Sequence, residues 1–207
     1  MREFKCKTED TFNLKDIDMR FCLLLFFALI SSLSGWSQVR LTLSWNATAA
    51  RYEVYALSQT TQKNFPIGKA RVGVVTPDSA PDSKLNVSSY QAGNWSDTKF
   101  ITRPQAAEKN DFHAVESNGG VVNLSANVPL LLFSFTFPDA QCREGVRLFN
   151  NGADPNATAA GLNGLDFSNT LLGGGNVQVY HSNYANAGTV CMDCPVEFTV
   201  PKLKKQS

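Results

Sequence analysis

"LTLSWNATAARYEVYALS", residues 41–58, decides the fold class. Together with the two residues before it, the first half alternates Val39, Leu41, Leu43 and Trp45 against Arg40, Thr42 and Ser44. That two-residue period belongs to a strand with one face buried. Tyr52, Val54 and Ala56 repeat it in the second half. The stretch "NATAA" between the halves is too short for a crossover helix, so the two strands are predicted to be antiparallel neighbours.

Strand-like segments continue along the chain: "KARVGVVTP" up to Pro77, "KLNVSSY", "WSDTKFITRP" up to Pro104, "NDFHAVES", "VVNLS", "GVRLFNN" and "NVQVYHS". The turn at Asn118–Gly120 is expected to join "NDFHAVES" and "VVNLS" as a pair. "LLLFSFTF", residues 130–137, is continuously apolar and then alternates Phe133, Phe135 and Phe137, which suits a central strand covered by a second sheet. Between "GVRLFNN" and "NVQVYHS" runs a long polar, glycine-rich connection with room for a short helical turn; loops of this length are usually functional or mobile. No apolar stripe holds a helical spacing for three turns. The expectation is an all-β domain: a two-sheet antiparallel β-sandwich of about nine strands.

The chain divides into four parts. Residues 19–37 have the order of a secretory signal peptide: Met19 and Arg20, an apolar run from Phe21 to Ile30, then Ser34, Gly35 and Ser37. Cleavage is expected between Ser37 and Gln38. The apolar run is well short of the roughly 20 residues of a permanent span, although Trp36 beside the small residues leaves a retained anchor as the alternative. Residues 1–18 read as a non-native extension ahead of Met19, residues 38–194 as the sandwich, and 195–207 as a short tail. The protein is therefore expected to be secreted or at the cell surface, with no stable membrane span after cleavage.

The 207 residues carry 19 Lys and Arg against 18 Asp and Glu, and five of each sign fall within residues 1–37. A net charge of +1 gives no electrostatic case for a nucleic-acid partner. Beyond the leader stand Cys142, Cys191 and Cys194. In an oxidising compartment Cys142 and Cys191 are expected to pair, leaving Cys194 over. Pro195 follows C-M-D-C directly, which fits poorly with a redox motif at a helix start.

Catalytic groups are scarce, and no enzyme is expected. His113 and His181 read as strand residues at the sheet surface. Asp111 and Glu116, five apart on one strand, fall on opposite faces and make no acid/base pair. "GGGN" at 173–176 lacks the lysine and helix of a phosphate loop and reads as a turn. The loop "NNGADPN" offers oxygens from Asn150 and Asp154 to a calcium ion, but a single carboxylate also suits an Asx-rich turn, so no cofactor is expected beyond that calcium. Trp95, Tyr180 and Tyr184 stand near predicted loops, where a flat ring can carry a sugar or can pack in the core.

"LTLSWNATAARYEVYAL", "LLLFSFTFPDAQC", "VRLFNNGADPNA" and "GGGNVQVYHSNYANAGTVC" together resemble a module of large exported Bacteroidetes surface proteins, similar to the cohesin and carbohydrate-binding β-sandwich group. The resemblance covers most of residues 39–191. It implies a jelly-roll-like sandwich at the cell surface and a non-catalytic binding or adhesion role toward polysaccharide or a partner protein. The alternative is a structural spacer or a fragment of a larger surface protein.

Overall fold

The computed structural model describes residues 38–191. The expected signal peptide, the expected extension before it, Cys194 and the tail lie outside the described residues. The opening hairpin forms as its alternation requires: β1 (Val39–Asn46) pairs antiparallel with β2 (Arg51–Ser58), from Val39 opposite Ser58 to Asn46 opposite Arg51. The turn is closed by Asn46 Oδ1, which accepts the Ala49 N–H at 3.0 Å.

Ten further strands follow among the described residues: β3 (Gln62–Ile67), β4 (Ala70–Pro77), β5 (Asn86–Ser89), β6 (Trp95–Ile101), β7 (Asn110–Ser117), β8 (Gly120–Leu124), β9 (Leu130–Thr136), β10 (Arg147–Leu148), β11 (Thr170–Leu171) and β12 (Tyr180–Asn183). The first sheet runs in the order β12-β1-β2-β9-β5. The apolar strand β9 is internal to it, as its composition predicts. The second sheet runs β10-β4-β7-β6, with β11 on β4 as well. The main core lies between these sheets: Val39, Leu41, Tyr52, Val54, Phe133 and Phe135 meet Val72, Val74, Trp95, Val115 and Leu148. Tyr52 stacks on Phe135 within the first sheet with centroids 4.9 Å apart, and Trp95 tilts against Phe133 at 4.8 Å, an aromatic pair that bridges the layers.

Three expectations need correction. Among the described residues the strands number twelve rather than about nine, and β3 and the short β11 fall in no segment expected to be a strand. The pairing is not wholly antiparallel, since β12 lies parallel to β1. Nor do β7 and β8 form a hairpin. β7 is held between β4 and β6, while β8 crosses the turn at Asn118–Gly120 and pairs with β3 in a separate two-stranded sheet. The local turn signal was real, but burial decided the partner: Val122 and Leu124 on β8 and Ile67 on β3 close the main core.

The long connection between β10 and β12 is packed rather than loose. Leu162 and Phe167 fold onto the outer face of the second sheet and form a smaller core with Val75, Phe112, Ala114 and Phe149. Asparagine side chains fix it by imitating strand edges. Asn169, fully buried, accepts the Gly73 N–H at 2.8 Å and donates to Phe149 O at 2.5 Å. Asn151 pairs with both the N–H and the C=O of Asn169, and Asn186 does the same for Leu148. Gly73 must be glycine here, because a Cβ would lie 2.0 Å from Phe167 O.

The disulfide joins Cys142 and Cys191, as expected, at a sequence separation of 49. Beside it the Tyr52 hydroxyl donates to Arg143 O at 2.8 Å and accepts the Arg143 N–H at 2.5 Å, tying the bridge region to the first sheet.

Candidate functional site

The second sheet turns Val72, Val74, Trp95, Asp97, His113 and Val115 inward, so alternation sends Arg71, Ser96 and Glu116 to its outer face. The connection carrying Leu162 and Phe167 covers one half of that face. The other half is an open groove of about 710 Å³, lined by Arg71, Asn94, Ser96, Thr98, Asn118 and Thr170 among others. A cavity of this size lies within the usual range for a ligand site.

The groove floor is charged but internally neutralised. Arg71 Nε donates to Glu116 Oε1 at 2.8 Å, its Nη1 reaches Asp166 Oδ2 at 2.7 Å, and Lys99 Nζ stands 3.6 Å from Glu116. Partial burial alone would raise the Glu116 carboxyl, but the Thr98 hydroxyl at 2.7 Å, Arg71 and Lys99 together hold it below the usual carboxylate range. Glu116 is therefore a fixed anion at neutral pH. Around this cluster the other polar lining groups are the Lys69 ammonium and a set of amides and hydroxyls, which both donate and accept hydrogen bonds.

The rim is rigid. Gly119 adopts φ +88°, and a Cβ there would meet Ile67 O and Gly68 O at 2.4 and 2.3 Å. The turn before β8 thus rests directly on the backbone of the β3–β4 turn, and Asn118 Oδ1 accepts the Asn94 N–H at 3.1 Å to hold the next loop.

The residues singled out from sequence do not converge on this groove. Trp95 is a correction: it is 4 % exposed, packed on Phe133, with its indole N–H donated to Gln91 O at 2.8 Å. A loop glycine and asparagine precede it, but the residue itself opens β6 on the inward face, so it offers no stacking surface. His113 is a second correction. It is 1 % exposed, and its Nδ1 lies 2.8 Å from Asp97 Oδ2 in the interior rather than at the sheet surface. His181 is exposed, as expected.

Tyr180 and Asn150 do come together, with His181, Asn183 and Asn186, around a smaller hollow of about 310 Å³. There the Tyr180 hydroxyl donates to Asn183 Oδ1 at 3.1 Å, so the ring is half-buried and pinned. Asp154 does not fit a calcium ion. Its two oxygens face Arg147 Nη1 and Nη2 at 2.6 Å each, and Oδ2 also accepts the Asn150 N–H at 2.7 Å. A bound cation would have to sit against a fixed guanidinium. Tyr184 lies elsewhere, at the edge of the first sheet under Arg40. Asp111 and Glu116 fall on opposite faces of β7, as their spacing requires; burial raises the Asp111 carboxyl, an effect its bond from the Arg103 N–H only partly offsets.

Ser96, Thr98, Asn118 and Thr170 were missed. The signal was present in the alternation of "WSDTK", whose outward positions are small and polar, but which sheet face stays open depends on where the long connection packs. Compared with family models, with curated proteins and with solved structures, the chain matches none.

Proposed function

We propose that the chain is an exported, non-catalytic binding module that holds an uncharged, hydroxyl-rich polysaccharide in the groove on the outer face of the second sheet. The observation that carries this reading is the lining itself: Asn94, Ser96, Thr98, Asn118 and Thr170 present amides and hydroxyls around an ion cluster already neutralised within the protein. Such groups exchange hydrogen bonds with water for hydrogen bonds with sugar hydroxyls at little electrostatic cost. The carboxylates at the groove, Glu116 and Asp166, are both paired with Arg71, which supports binding without proton transfer. The Cys142–Cys191 disulfide supports residence in an oxidising compartment.

A glycan array probed with the purified protein and with Ser96→Trp tests the reading. The expected result is saturable binding of a neutral polysaccharide that the bulky indole abolishes while the thermal midpoint stays unchanged. Silence across neutral glycans overturns it in favour of a spacer, and binding that survives Ser96→Trp moves the site elsewhere.

A further inference from the structure

The outer face of the first sheet carries a row of arginines and tyrosines separate from the groove. Arg40 projects to this face, because Val39 and Leu41 on either side of it are fully buried in the core. Its guanidinium carbon stands 5.1 Å from the centroid of the Tyr184 ring. Among the described residues no carboxylate pairs with Arg40, and its Nε is buried without a hydrogen-bond partner. Its positive charge is therefore uncompensated.

Toward the opposite edge, Arg51 lies 5.2 Å from the centroid of Tyr90, and Tyr90 is 43 % exposed. Glu53 on β2 organises the space between. It is 4 % exposed and accepts from Arg51 Nε at 2.8 Å, from Asn46 Nδ2 at 3.2 Å and from the Tyr55 hydroxyl at 2.5 Å. Burial and the neighbouring Glu53 both push the Tyr55 phenol up, so it remains a donor at any physiological pH. Glu53 thus neutralises Arg51 and fixes Tyr55. Ser44, Ser134 and Ser88 continue the row of small polar side chains across β1, β9 and β5.

We propose that this face binds an acidic polysaccharide, with a uronate carboxylate on Arg40 and sugar rings against Tyr55 and Tyr90. A guanidinium braced on an aromatic ring is preorganised for a planar carboxylate, and tyrosine faces suit the apolar side of a pyranose. Arg40 lies opposite Leu57, six residues along β2 from Arg51, which is about 20 Å of strand. A ligand using both ends is therefore an extended chain rather than a single sugar. The site goes beyond the groove in place and in ligand charge.

Calorimetric titration of the purified protein with hexagalacturonate and with its fully methyl-esterified form tests this. Hexagalacturonate is expected to bind saturably, and the ester at least tenfold more weakly. Arg40→Gln should weaken the acid at least tenfold and Tyr90→Ala several-fold, with thermal midpoints unchanged, while Ser96→Trp leaves its affinity intact. No saturation, equal affinity for the ester, or indifference to Arg40→Gln overturns the assignment. Loss through Ser96→Trp also overturns it, by placing the acidic chain in the groove. Neutral-glycan binding there is decided separately by Ser96→Trp on the array, so the two readings fail independently.

Discussion

The Gly73 N–H donates to Asn169 Oδ1 at 2.8 Å, so one side chain fills the gap between β10 and β11 along the edge of β4. Asn169→Ala would strip the buried Gly73 N–H of its partner, whereas Phe149 O keeps the Asn183 amide at 2.8 Å. Leaving a buried polar group unpaired costs about 1–3 kcal/mol. Denaturant unfolding of Asn169→Ala is therefore expected to show a loss of about 1–3 kcal/mol. Gly73→Ala is expected to be at least as harmful, because its methyl meets Phe167 O. A loss below 1 kcal/mol in both variants would contradict the clasp.

Trp95 serves the core. Large-to-small replacement of a buried aromatic costs about 3–5 kcal/mol, so Trp95→Ala should lower the unfolding free energy by that amount and Trp95→Phe by less. Ligand affinity measured on the folded fraction should be unchanged in Trp95→Phe. A selective loss of binding without a loss of stability would return the indole to the site.

The disulfide closes a long loop. On the chain-entropy model its removal by Cys142→Ser with Cys191→Ser is expected to cost about 4 kcal/mol. Thiol labelling of the native, unreduced protein should leave both cysteines unmodified, read by peptide mass spectrometry.

The buried carboxylates give opposite pH dependences. Burial raises Glu53, but Tyr55, Arg51 and Asn46 outweigh it and hold the group below its usual value; Glu116 behaves likewise. A carboxyl depressed in the folded state contributes stability above its unfolded value, and that contribution is lost as pH falls through the folded value. Asp111 is raised, chiefly by burial, so its contribution is present below the unfolded value and is lost as pH rises through the folded one. Chemical denaturation across pH 2–8 should therefore show Glu53→Gln flattening the acid limb, and Asp111→Asn gaining relative to wild type as pH rises toward neutrality. A wild-type-like acid limb in Glu53→Gln would refute the first assignment.

The first sheet was legible because its strands obey one rule. Val39, Leu41, Tyr52, Val54, Phe133 and Phe135 alternate in sequence and meet in the core. The pairing of β8 was not legible, since a turn at Asn118–Gly120 suits a hairpin as well as a departure to another sheet, and only the burial of Val122 and Leu124 selects between them. The asparagines misled in a different way. In "NNGADPN" they read as an Asx-rich turn or as ion ligands and in "SNYAN" they carried no reading, whereas Asn151, Asn183 and Asn186 bond to backbone groups far off in sequence. No local pattern records which distant carbonyl an amide will meet. The tyrosine–arginine pairing was not legible for a related reason: Arg51 is on β2 and Tyr90 directly follows β5, strands separated by β9, and their approach exists only in the assembled sheet.

The connection that packs Leu162 and Phe167 over the second sheet also acts as a ruler. How far it reaches across the sheet sets how much of the outer face remains open, and Asp166 at its margin marks where the groove ends. Insertions or deletions in such surface segments cost little loop-closure entropy. Groove length can thus be redrawn by adding residues at the exposed Asn163–Gly164 turn, which leaves the buried Leu162 and Phe167 that anchor the connection in place.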